Sequence, residues 1–268
     1  METLSNENII HIRKNGMEYI QFRRLLEYSY LKHGFTLKPM DFGMFRNYEE
    51  KRKEIEENIK NLGKEIGFTL EDVCRPKQTH TNHVERVPKE DTGVYIPKYD
   101  DVDGLVTSEK GKVLVLSFAD CTPLLFLDPV KKAIGNTHSG WKGTLQQIGL
   151  KTVEKMQQEF GSKPEDLICC IGPHIRKCHF EVEKDVRDSF YEQFKNLENI
   201  EDIIDEKENG KYYIDTAAIN KQILLKAGLK IENIIDSEIC TVCNSDVCHS
   251  YRGDKEKDGR SISFMELI

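Results

Sequence analysis

Three apolar segments crowd together in the middle of this chain and set its fold class. Val113 to Phe118 is a continuous β-prone run, Leu124 to Leu127 is a second, and Ala133 to Thr137 is a third. Asp128-Pro129 makes the tight turn between the last two. A helix is predicted from about Thr144 to Phe160, with Leu145, Ile148, Val153 and Met156 facing a core and Gly161 ending it.

The same mixture runs through the rest of the chain. Ile9 to Ile12 and Tyr19 to Phe22 flank Asn15-Gly16, which reads as a β-hairpin with a type I′ turn. Ile55, Ile59, Leu62 and Ile66 recur at helical spacing between Glu49 and Phe68, and Gly67 closes that helix. Leu167 to Ile171 is a strand, with Cys169 and Cys170 on its two faces as core residues. Val186, Phe190, Phe194 and Leu197 mark a helix, and acidic Glu198 to Gly210 a loop. A short strand at Tyr212 to Ile214 precedes a helix over Ala217 to Lys226, which Gly228 stops. Ile234 to Ile239 is the last buried strand expected before a polar, cysteine-rich segment. No linker splits the chain and no repeat recurs, so residues 1–268 are read as one α+β domain with mixed sheets.

Composition narrows the function classes. Hydrophobic residues make up 38% and charged residues 32% of the 268 residues, a globular balance. The net charge of -7 argues against nonspecific binding to nucleic acid or to an anionic membrane. No apolar run reaches the roughly 18 to 20 residues of a membrane span. Met1 to Asn8 lacks the basic start and apolar core of a signal peptide, so the cytosol is the expected compartment. There the eight cysteines stay reduced and serve metal binding, catalysis or packing.

The chemistry gathers at the ends of the central strands. Cys121 lies just past Phe118, flanked by Asp120, Thr122 and Pro123, which suit a site better than an apolar core. His138 ends the third strand. His80 sits in polar Gln78-Thr79-His80, with His83 as a competing ligand that alternation sends to the opposite face. Two histidines and a cysteine make a three-ligand zinc site with a fourth position open for water or substrate. Ser139 to Gly143 leads into the predicted helix and places backbone N–H groups and Lys142 beside His138, an arrangement suited to phosphate. Arg252 and Arg260 form a basic C-terminal patch able to grip phosphate bidentately. Cys240, Cys243, Cys248 and His249 resemble a zinc knuckle with irregular spacing, whereas Cys74 and Cys178 carry no readable signal.

These motifs, in order, resemble the YfiH/laccase-domain family, labelled polyphenol oxidase in older naming and purine nucleoside phosphorylase in newer naming. The matching segments are His33-Gly34-Phe35-Thr36, Gln78-Thr79-His80, Asp101-Val102-Asp103-Gly104, Ala119 to Pro123, and His138 to Gly143. Gly172-Pro173-His174-Ile175, Phe180-Glu181-Val182, Asp215 with Asn220, Ser250-Tyr251-Arg252 and Gly259-Arg260 follow. The resemblance implies a four-layer α/β/β/α fold and zinc on His80, Cys121 and His138. It also implies phosphorolysis of adenosine, inosine, guanosine and methylthioadenosine to base and ribose 1-phosphate, with adenosine deamination as a side activity. Lys38 and Gly253 stand where the family usually has arginine; lysine keeps the charge without the bidentate fork.

In this reading Ser139, Lys142, Arg252, Arg260 and Lys38 bind substrate. Asp120 orients a ligand histidine or acts as a general base. Two other enzymes fit the same residues. One is a copper-dependent oxidase, since nitrogen and sulfur ligands suit copper too, although the chain has eight histidines and no His-x-His. The other is a metal-free hydrolase, including peptidoglycan-precursor editing, with Cys121 as nucleophile and His138 as base. A purely structural zinc would need a fourth ligand.

Overall fold

Alternation along the central strands decides how the layers stack. The computed structural model describes residues 3–43, 48–91, 99–207, 210–255 and 259–268. In strand Val113–Phe118, Leu114, Leu116 and Phe118 join one core cluster while Val113 and Val115 join another. In strand Thr122–Asp128, Leu125 and Leu127 share the first cluster, and Leu124 and Phe126 face a third. Period-two patterning therefore buries both faces of both strands, which requires two sheets face to face with a helix over each outer face.

Helix Tyr48–Ile66 covers the first sheet through Ile55, Ile59 and Leu62. Helix Ile148–Phe160 covers the second through Ile148, Val153 and Met156, beside Ala217 and Leu224 of helix Thr216–Lys226. The four-layer α/β/β/α arrangement is the one the family resemblance implies. Cys169 and Cys170 lie in clusters on opposite faces, as their strand spacing requires.

The first sheet runs Ile9–Lys14, Met17–Phe22, Leu31–Thr36, Ser261–Leu267, Val113–Phe118, Val73–Cys74. The second runs Ile234–Asp236, Ile168–Ile171, Thr122–Asp128, Ala133–Ser139, Gly104–Thr107, Val84–Arg86. Both sheets are mixed. The pairs 73–74 with 113–118, 84–86 with 104–107, and 168–171 with 234–236 are parallel; the others are antiparallel. Among the described residues, no helix is long and apolar enough to cross a membrane.

Three features depart from the sequence expectations. The last strand is Ser261–Leu267, in the middle of the first sheet, and the strand from Ile234 stops at Asp236. Its polar residues hid it: Ser263 Oγ donates to Asn136 Oδ1 at 2.6 Å and Glu266 pairs with Lys32 at 3.1 Å, so they are buried with partners. The helix expected from Thr144 is two helices, Trp141–Leu145 and Ile148–Phe160, separated at Gln147, whose φ is +57°. The acidic stretch after Glu198 holds helix Ile200–Ile203 and strand Ile204–Glu206, because Ile200 and Ile203 are buried.

Candidate metal centre

The chain crosses from the first sheet to the second at Asp120-Cys121, and this crossover sets Cys121 at the end of both. His138 lies on the adjacent strand Ala133–Ser139, in register with Pro123. His80 reaches the same point from a turn after strand Pro76–Lys77, with φ at +67°. Its Nε2 is 3.8 Å from Cys121 Sγ, and its ring meets that of His138 edge-on at 4.9 Å. The ligand atoms of His80, Cys121 and His138 all lie within 4.8 Å of one another, as one ion would require. Gly140 passes beneath them: a Cβ there would lie 2.7 Å from His80 Cδ2 and 3.3 Å from Cys121 Sγ. His83 stands apart, with Nδ1 near Asp101 O at 3.2 Å and Nε2 against Glu85 at 2.8 Å.

A fully buried carboxylate organises this cluster. Asp103 Oδ1 takes His138 Nδ1 at 2.8 Å, which leaves Nε2 as the ring atom able to bind a metal. Its Oδ2 accepts from Thr79 N at 3.1 Å, Thr81 N at 2.7 Å and Thr81 Oγ1 at 3.0 Å, bracketing His80. Burial raises the Asp103 carboxyl, but the His138 imidazole and the Thr79 and Thr81 amides outweigh it and hold it near about 2. Burial likewise opposes charge on Cys121, yet His138 and His80 bring its thiol down to about 6. Against the same opposition from burial, Cys121 and Asp103 raise His138 to about 9.

Asp120 is not the carboxylate on the ligand histidine. Its Oδ1 accepts from Thr241 Oγ1 at 2.6 Å and Ser250 Oγ at 2.7 Å, and its Oδ2 from Arg252 N at 2.6 Å. Asp120 therefore ties the C-terminal segment to the crossover, at a φ of +78°. The sequence offers Asp120 either for this role or as a general base, because it adjoins Cys121. Asp103, quoted only within a motif, gains it by pairing of Gly104 with Thr137, which puts the preceding residue beside His138.

A cavity of about 420 Å³ opens over the cluster, within the ~300–1,000 Å³ of small-molecule sites. Trp141, Phe180 and Tyr251 give it aromatic walls, and Arg252 and Arg260 give it positive charge. Ser139 lines it with its hydroxyl engaged by Thr144 Oγ1 and Asn220 Oδ1 at 2.9 and 3.2 Å. Two expected substrate residues fall outside the lining. Lys142 is exposed and extends over the Trp141 ring, because the helix begins at Trp141 and turns it outward. Lys38 donates to Ser245 O at 2.6 Å and to Asp254 at 2.9 Å, bracing the C-terminal segment from behind. Nor do the four residues of the knuckle-like segment, Cys240, Cys243, Cys248 and His249, converge on one point. Cys248 is fully buried, and His249 Nε2 faces Met40 O at 2.8 Å.

A family model described as multi-copper polyphenol oxidoreductase laccase matches residues 33–268. The chain belongs to this laccase family. Among its relatives, the purine nucleoside phosphorylase YlmD of Bacillus subtilis is 34% identical over 87% of this chain and 85% of its own length. The purine nucleoside phosphorylase LACC1 of Mus musculus is 30% identical over 87% of this chain, which spans 52% of that protein. The crystal structure of YlmD from Geobacillus stearothermophilus superposes with a TM-score of 0.87 at 27% identity, over 97% of this chain and 99% of the other.

Proposed function

We propose that this chain is a zinc-dependent, cytoplasmic purine nucleoside phosphorylase acting on adenosine, inosine, guanosine and methylthioadenosine, with adenosine deamination as a side activity. One observation carries this reading. A single cavity joins the His80–Cys121–His138 cluster to two guanidiniums and three aromatic walls. The names of the relatives point the same way.

The donor set fits zinc: two imidazole nitrogens and a thiol that burial does not keep protonated. Zinc held there would supply Lewis acidity to an oxygen of the phosphate or the sugar. Arg252 and Arg260 are placed to hold inorganic phosphate, with guanidinium forks that match its oxygens. Trp141, Phe180 and Tyr251 offer flat apolar surface to the purine. In the reaction an oxygen of hydrogen phosphate bonds to C1′ as the bond from C1′ to the base breaks, and the departing base takes up the proton the phosphate gives up, leaving free base and ribose 1-phosphate, or its 5-methylthio derivative from methylthioadenosine. Asp103 keeps the His138 proton on Nδ1, away from the ligand face. Asp120 acts as a positioning residue that carries Arg252 to the cavity.

Histidine usage favours a single His2Cys centre over a multicopper one. His33 accepts from Phe22 N, His11 pairs with Glu18, and His249 faces Met40 O, so these rings serve the fold. Adenosine turnover with and without phosphate tests the proposal. Adenine and ribose 1-phosphate forming only when phosphate is present, equally well under anaerobic conditions, and not in Cys121→Ala, is the expected result. Turnover retained in Cys121→Ala would sink it.

A second reading rests on the lowered Cys121 thiol beside the raised His138, with Asp103 behind it. That is also the layout of a cysteine hydrolase. Iodoacetamide would then label Cys121 and inactivate the enzyme, and zinc would inhibit it.

A further inference from the structure

We propose that the chain holds a second, structural zinc ion on Cys178, His179, Cys240 and Cys243. These residues come from two segments far apart in sequence, yet their ligand atoms all lie within 4.8 Å of one another. Cys178 Sγ is 3.5 Å from Cys240 Sγ and 3.7 Å from Cys243 Sγ. His179 Nδ1 is 3.2 Å from Cys178 Sγ, 3.4 Å from Cys243 Sγ and 3.7 Å from Cys240 Sγ. A tetrahedron built on zinc–sulfur bonds of ~2.3 Å and zinc–nitrogen bonds of ~2.0 Å has edges of about 3.8 Å between sulfurs and about 3.5 Å from sulfur to nitrogen. The observed separations match those edges and are far longer than the ~2.0 Å of a disulfide.

Three thiols and an imidazole form a closed set with no position left for substrate, the mark of a structural site. Zinc entering it displaces the thiol protons to solvent and takes neutral Nδ1 of His179. The backbone already holds the two segments together: Thr241 N donates to His174 O at 3.0 Å, and His174 N to Ile239 O at 3.2 Å. Arg252 Nη1 donates to His179 O at 3.3 Å and Glu181 O at 3.2 Å, so this clamp also steadies one wall of the cavity. The site is independent of the first centre, and separate variants read the two.

The test is metal counting and cobalt substitution on the full chain purified under reducing conditions. Wild type should carry about two zinc ions, Cys121→Ala and Cys243→Ser about one each, and the double variant none. Cobalt(II) in Cys121→Ala should give intense thiolate-to-metal absorption that disappears when Cys243→Ser is added. A Cys121→Ala protein with no zinc and no cobalt–thiolate band would overturn the proposal. So would peptide mapping that finds Cys178 joined to Cys240 or Cys243 by a disulfide.

Discussion

Asp103 serves both histidines of the cluster through different oxygens, fixing the His138 ring directly and the His80 turn through two amides. Asp103→Asn keeps the size and removes the charge. Its zinc affinity should fall about 10–100-fold, the usual cost of losing such a partner, with the fold intact by circular dichroism. Competition with a chromophoric chelator measures it. Gly140→Ala should also weaken the centre, because its methyl would displace His80. Metal retention should drop while the thermal midpoint moves far less. The convergent cluster was legible because two histidines and a cysteine stand in polar, glycine-rich surroundings at strand ends. Asp103 was not, because its role comes from strand register, and a ligand's neighbour in sequence, here Asp120, need not be its neighbour in space.

Local chemistry made several elements readable. Asn15 and Gly16 take φ of +53° and +76°, as a type I′ turn demands, and Gly67 at +90° ends the long helix. Strand 261–267 escaped because its serines and glutamate break the apolar pattern, and the partners of Ser263 and Glu266 lie on strands far away in sequence. The helix break at Gln147 left no glycine or proline to mark it. Phe264, fully buried, shows what the strand contributes: it packs beside Phe68 at 6.2 Å and over Gly34, where a Cβ would come 2.6 Å from its ring. Phe264→Ala should destabilise the protein by about 3–5 kcal/mol, read from urea unfolding. A loss under about 1 kcal/mol would show that the strand is not a core element.

Buried imidazoles make the stability of the whole molecule sensitive to acid. Burial holds His33 down at about 3, and it also lowers His174 and His249. The unfolded chain therefore takes up protons below about 6.5 that the folded chain refuses. Stability present above that pH should fall progressively as pH drops toward 3, seen as a declining thermal midpoint. His33→Gln should flatten the decline, and an unchanged slope would clear His33 of the effect. Position within the first sheet has a consequence for biosynthesis. Residues 261–267 lie between strands 31–36 and 113–118, so a growing chain leaves both edges bare until residues 261–267 are made. Arg252 and Arg260 arrive in the same late stretch. A nascent chain that has not yet reached residues 251–267 thus carries His80, Cys121 and His138 beside two unpaired sheet edges, before Tyr251, Arg252 and Arg260 complete the cavity lining.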